Sequence, residues 1–189
     1  MGIVEDRIIE SIKVKENILN DTTLIELINK AGQKVKKTFE NGGNVFLCGN
    51  GGSASDSIHI AAELSGRFQK ERKSLPALSL NADIAALTAI SNDYSYEQVF
   101  ERILSGIVHE RDALIGISTS GNSENVYRAF VEAKRHGATT IGLLGKDGGK
   151  INEVADIAIV VPGNNTARIQ ESHIMIGHII CEIAEEDYE

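Results

Sequence analysis

Apolar positions along the chain follow two periods. From Ile8 to Val35 they recur at helical spacing: Ile8, Ile9, Ile12, Val14 and Ile18, then Leu24, Ile25, Leu27, Ile28, Ala31 and Val35. Asp21 and Thr22 read as a cap between two helices, and Gly42-Gly43 closes the second. After Gly43 the pattern changes to short β-prone runs at Asn44–Cys48, Ala77–Leu80, Ala113–Ser118, Thr139–Leu144 and Ile157–Val161. These runs are apolar on both faces, and each is followed by room for a helix. That alternation predicts right-handed β-α-β crossovers and a buried parallel sheet. The two prolines, Pro76 and Pro162, flank runs rather than interrupt them. Thr166–Glu185 reads as a long final helix. The predicted fold class is therefore α/β, a three-layer sandwich around a five-stranded parallel sheet with an N-terminal helical extension.

Composition narrows the class of function. The 189 residues are 42% hydrophobic and 24% charged, ordinary for a soluble globular chain. The net charge of −8 argues against a general nucleic-acid surface and an anionic membrane, but not against a small phosphorylated ligand held by backbone donors. Cys48 and Cys181 lie in apolar runs outside any C-x-x-C motif, as structural thiols of a reducing compartment do. The charged, amphipathic start does not read as a signal peptide. No run approaches the ~18 apolar residues of a membrane span. A cytoplasmic protein is expected.

The chemistry concentrates where runs end. After the first run comes Gly49-Asn50-Gly51-Gly52-Ser53-Ala54, which fits the loose dinucleotide pattern, with a helix expected near Ser55-Asp56. A dinucleotide site also needs an acidic residue at the tip of the second strand. The second run ends Ser79-Leu80-Asn81, and Glu71 lies in a charged loop before it. Dinucleotide binding therefore fails in this context. The third run leads into Ser118-Thr119-Ser120-Gly121-Asn122-Ser123 and a further helix. Two Ser/Gly turns at one sheet edge, each opening a helix, suit a terminal phosphate monoester. No G-K-[ST] follows, so neither is a P-loop.

His59 and Glu63 stand four apart on the helix after the first turn, on one face. Gln170, His173 and His178 stand on the last helix. His178 sits among apolar neighbours, which implies burial and a partner; His173 is expected at solvent or an interface. Gln170 and His178 are separated by about 12 Å and about 80° of rotation, so a site using both is at the limit of one subunit's reach, or is shared between two. Asn92 and Asp93 are expected in a turn after a helix, where Asp93 could bond sugar hydroxyls.

The stretches "CGNGGSASDSIHIAAELSGR", "NDYSYEQVF", "GISTSGNSENV", "GLLGKDGGKI" and "TARIQESHIMIGHIICEI" together resemble the phosphoheptose isomerases of the sugar isomerase (SIS) domain family. The resemblance spans essentially the whole chain. It implies a single, flavodoxin-like SIS domain over residues 1–189, with helices in 1–42 and the sandwich in 43–189. It further implies an aldose–ketose isomerase converting D-sedoheptulose 7-phosphate to D-glycero-D-manno-heptose 7-phosphate through an enediol. That is the first step toward ADP- or GDP-heptose for lipopolysaccharide core or capsule. The family is a cytoplasmic homotetramer with sites at subunit interfaces and one Zn²⁺ per subunit. Carried onto this chain, its metal ligands fall on His59, Glu63, Gln170 and His178, and its base and acid on Glu63 and His178. Its substrate contacts fall on Asn50, Gly51, Gly52, Ser53, Glu63, Asn92, Asp93, Ser118, Thr119, Ser120, Ser123 and Gln170. Some members carry an acid where this chain has Ala167. Two relatives in the same fold are alternatives. Non-catalytic regulators that bind a replication initiator lack the glutamate and the late histidine, which this chain keeps as Glu63 and His178. Arabinose 5-phosphate isomerases usually carry extra regulatory domains, for which this chain has no length.

Overall fold

A computed structural model describes residues 2–188. The chain opens with α1 (Ile3–Asn20) and α2 (Thr22–Glu40). Asp21 separates them: its side chain accepts from the Leu24 N–H at 3.0 Å, the expected cap. The rest alternates: β1 (Val45–Gly49), α3 (Gly52–Ser65), β2 (Ala77–Ser79), α4 (Ile84–Asp93), a 3₁₀ turn (Tyr96–Gln98), α5 (Val99–Ser105), β3 (Ala113–Ser118), α6 (Glu124–Arg135), β4 (Thr139–Gly145), α7 (Gly149–Val154), β5 (Ile157–Val161) and α8 (Thr166–Ala184).

The strands form one sheet in the order β2-β1-β3-β4-β5, with every pairing parallel. Alternate side chains divide the core into two layers. Val45 and Leu47 of β1, Ile115 and Ile117 of β3 and Ile141 and Leu143 of β4 face α1, α2, α3 and α8. Phe46, Cys48, Leu114 and Leu144 face the layer that holds Phe100 of α5, Phe130 of α6 and Ile151 of α7. This is the predicted three-layer sandwich. The helical extension is part of its core, because Val14, Ile18, Ile28 and Val35 join the first layer. Ile8, Ile9 and Ile12 do not; that stripe of α1 lies exposed. Cys48 and Cys181 are buried, free thiols. Burial pushes the Cys181 thiol up to about 12, with the charge of Glu63 adding to it.

The order 2-1-3-4-5 has a functional consequence. From β1 the chain crosses by α3 to β2 on one side, while β3 lies on the other and continues by α6 to β4. The loops leaving β1 and β3 thus diverge, and a crevice opens between them at the carboxyl edge of the sheet. Both Ser/Gly turns singled out in the sequence stand there.

Candidate active site

The first turn, Asn50–Ser53, bends through Gly51 at φ +56°. Helix α3 begins at Gly52, earlier than expected, so Ser53 lies in its first turn. The second turn bends through Gly121 at φ +66°. Its hydroxyls converge: the Ser118 Oγ lies 3.0 Å from that of Ser123 and 3.5 Å from that of Ser120. The Asn122 N–H donates to the Ser120 Oγ at 3.1 Å. The turns are tied together by a reciprocal amide pair. The Asn50 Nδ2 donates to the Asn125 Oδ1 at 2.8 Å, and the Asn125 Nδ2 returns a bond to the Asn50 Oδ1 at 2.9 Å. Tyr96 donates to the same Asn50 oxygen at 2.7 Å.

Side-chain caps divide the helices, and α1, α5 and α7 lack them as α3 and α6 do. Helices α2, α4 and α8 each open on an Asp or Asn whose side chain accepts a first-turn N–H. Helices α3 and α6 open on Gly51 and Ser123 with no side-chain cap bond. The Ser53 N–H turns back to the Asn50 carbonyl and the Val126 N–H to the Asn125 side chain, while those of Gly52 and Glu124, at the positive ends of the helix dipoles, remain for another acceptor. A phosphate in the crevice is such an acceptor.

Further along α3 lies a cluster of donors. His59, Glu63 and His178 bring one ligand atom each within 4.8 Å of one another. The His59 Nε2 is 3.0 Å from the His178 Nε2 and 3.0 Å from the Glu63 Oε1. Ligands at about 2.0–2.1 Å from a shared tetrahedral ion lie about 3.3 Å apart, so two imidazoles and a carboxylate in this arrangement fit Zn²⁺ in spacing and in chemistry. The Phe68 ring stacks on His178 at 5.3 Å between centroids, fixing its plane.

Gln170 lies between the cluster and the first turn. Its amide packs so closely on Gly52 that a methyl group there would collide with it. Asp56 of α3 lies beside it, where the Gln170 amide favours the charged carboxylate. Asp56 escaped notice in the sequence, although Asp56, His59 and Glu63 share one face of α3 by spacing alone. It is buried, with its Oδ2 unpartnered. Burial raises its carboxyl above the usual range, opposed by the Gln170 amide and the charge of His59. Asn125 and Tyr96, the partners of Asn50, lie in stretches that carry the family resemblance but are not singled out as site residues.

Other expectations need amendment. Asn92 and Asp93 are the last two residues of α4, not a turn after it, and the Asn92 Nδ2 donates to the Asp93 Oδ1 at 2.9 Å. Both are exposed, three or four residues before Tyr96. His173 is not at solvent: it is fully buried, 2.8 Å from the Leu144 carbonyl, with its Nδ1 unpartnered. Burial lowers its pKa to about 4. His178 is half-buried.

Comparison with known proteins matches residues 12–145 to the SIS domain family. The chain is 51% identical to a phosphoheptose isomerase of Clostridium acetobutylicum over 186 residues, 98% of this chain and 95% of that one. It is 60% identical to one from Nitratiruptor sp. over 152 residues, 80% and 81% of the two chains. Among solved structures, the phosphoheptose isomerase of Neisseria gonorrhoeae superposes with a TM-score of 0.91 at 39% identity, and that of Francisella tularensis with 0.93 at 35%. Each covers 97% of both chains.

Proposed function

The chain belongs to the phosphoheptose isomerases of the SIS domain family, and from that premise we propose how its own residues carry the reaction. It is an aldose–ketose isomerase that converts D-sedoheptulose 7-phosphate to D-glycero-D-manno-heptose 7-phosphate in heptose biosynthesis. The observation that carries the residue assignment is the meeting of His59, Glu63 and His178 beyond two uncapped helix N-termini. His59 lies seven residues into α3 from Gly52, or about 10 Å along its axis, the scale of an extended seven-carbon phosphate.

The phosphate sits in the crevice, held by the N–H groups of Gly51 and Gly52 and the hydroxyls of Ser53, Ser118, Thr119, Ser120 and Ser123. This remote grip positions the far end of the sugar. Asn50 and Gln170 line the path between, and Asn92 and Asp93 face sugar hydroxyls from the rim. At the cluster, Glu63 removes the carbon-bound proton and His178 moves a proton between the C1 and C2 oxygens. His59, Glu63, Gln170 and His178 would hold one Zn²⁺, which when bound polarises the carbonyl. Glu63 and His178, which the non-catalytic regulators of the family lack, are both in this cluster.

We infer a homotetramer with sites shared between subunits. The supporting observation is the exposed apolar stripe of α1, Ile3, Val4, Ile8, Ile9, Ile12 and Leu19, which a lone chain leaves in water. No helix among the described residues is long and apolar enough to cross a membrane. We place the enzyme in the cytoplasm, supplying heptose for lipopolysaccharide core or capsule. The test is a coupled assay of sedoheptulose 7-phosphate isomerisation with metal content measured on the same sample. Turnover with about one zinc per chain, lost on chelation and restored by Zn²⁺, is expected. No turnover with zinc restored and the assembly intact overturns the assignment.

A further inference from the structure

Two helices supply the metal cluster, so their relative placement decides whether the donors meet. One fixed point is visible at Gly177, next to His178, where an added methyl group would collide with Ile60 of α3. The second lies at the other end of the cluster, in the segment between α3 and β2. There Arg72 and Glu185 form an ion pair, Nε to Oε2 at 2.9 Å, with side chains only 1% and 2% exposed.

Each partner of this pair holds backbone. The Arg72 Nη2 donates to the Glu63 carbonyl at 2.9 Å, and its Nη1 donates to the carbonyls of Leu64 at 2.9 Å, Lys73 at 3.1 Å and Gly66 at 3.3 Å. A cation thus caps the negative end of α3, and one residue it grips is Glu63, whose carboxylate enters the cluster. Glu185 is the C-cap of α8, seven residues past His178 and therefore on the same face. Its Oε1 accepts the N–H of Gln69 at 2.7 Å and of Lys70 at 3.1 Å. The Gln69 Nε2 adds a bond to Glu182 at 2.8 Å. Phe68, which stacks on His178, is the residue immediately before these anchored positions.

We propose that Arg72 and Glu185 are positioning residues for the metal cluster, clamping the end of α3 to the end of α8 and holding Phe68 against His178. The proposal rests on His59, Glu63 and His178 being metal ligands. The clamp acts before the ion arrives: it sets the distance between donors that lie 119 positions apart in sequence. A planar guanidinium reaches four carbonyls and a carboxylate at once; an ammonium, a point charge with three donors on one atom, cannot. Residues that orient metal ligands change affinity or activity by about 10- to 100-fold when replaced.

Arg72→Lys tests this, with Arg72→Met/Glu185→Leu as the second variant, because an apolar pair removes both buried charges together and leaves neither unpaired. For each, Zn²⁺ affinity is measured by chelator competition, kcat and KM are measured with sedoheptulose 7-phosphate, and the visible spectrum is recorded with Co²⁺ in place of zinc. The expected result is a loss of Zn²⁺ affinity and of kcat of about tenfold or more, an altered Co²⁺ spectrum, and an unchanged KM, since the phosphate turns are untouched. Leu104→Ala, in the opposite core layer, supplies a destabilised control that keeps wild-type zinc affinity. Wild-type zinc affinity, kcat and Co²⁺ spectrum in whichever variant folds overturn the clamp, as does the same zinc loss in the control. If neither variant folds while the control does, the pair is structural and the proposal falls. A wild-type protein that neither binds zinc nor turns over defeats the proposed function instead.

Discussion

The two ends of the candidate site are held together in different ways. At the phosphate end the contacts are local: Ser118 meets Ser123 five positions on, and the Ser53 N–H bonds back to the Asn50 carbonyl. The donors there include backbone N–H groups that no substitution short of proline removes. At the metal end the contacts are distant, with His59 and His178 brought together only by the packing of α3 on α8. Side chains supply everything there. The phosphate end should therefore yield gradually to mutation and chiefly in KM, whereas the metal end should fail sharply and in kcat.

The largest expected effect tests the sharp end. Glu63→Gln keeps the size and the hydrogen-bonding oxygen of the side chain but removes the basic carboxylate. A general base contributes about 10²–10⁴ to rate, so kcat should fall by roughly 10³-fold while the thermal midpoint stays near wild type. Steady-state kinetics and a melting curve on one preparation check this. Turnover within tenfold of wild type would remove Glu63 as the base and weaken the contrast between the two ends.

The same contrast governs what could be read from the sequence. The five strands were legible because runs apolar on both faces have few other homes than a buried parallel sheet, and the observed β3 and β5 bounds are those expected. Both turns were legible because Gly and Ser in sequence are also neighbours in space. The Asn50–Asn125 bridge was not, since it needs the β1/β3 adjacency that only the sheet order provides. Nor was the exposure of Ile8, Ile9 and Ile12, because helical spacing reveals an apolar face but not what covers it. The burial of His173 could have been found. Ile169, His173, Ile176 and Ile180 stand at i, i+4, i+7 and i+11, one inward stripe of α8, and all four are fully buried.

His173 ties α8, the helix that carries His178, to the phosphate end. Its bond to the Leu144 carbonyl lands on the strand residue paired with Ser118, at the root of the second turn. Its folded pKa of about 4 lies below the ordinary 6.5, so the unfolded chain takes up a proton that the folded chain refuses. Stability is complete above about pH 6.5 and is lost as pH falls from there towards 4. At pH 5 this one group should have removed about 2 kcal/mol. Urea unfolding at pH 7.5 and 5.0 measures it: the drop in wild type should exceed the drop in His173→Gln by that amount. Equal drops would mean that the ring is protonated without penalty, and that the joint between the ends is looser than its burial indicates.

The smallest effect sharpens the gradual end. The reciprocal Asn50–Asn125 pair holds the two turns at a fixed spacing, so each residue's contribution to phosphate binding depends on the other. Asn50→Ala, Asn125→Ala and the double variant form a cycle on kcat/KM. Residues in direct contact couple by about 0.5–3 kcal/mol, and a neutral amide pair with one partner half-open to solvent should fall near 1 kcal/mol. The coupling should appear in KM, with kcat nearly unchanged, because the carbon-bound proton is removed at the other end. Additive losses would mean that the turns grip the phosphate independently. Coupling in kcat would mean instead that the spacing of the turns reaches the metal cluster along α3, and that the two ends are one machine rather than two.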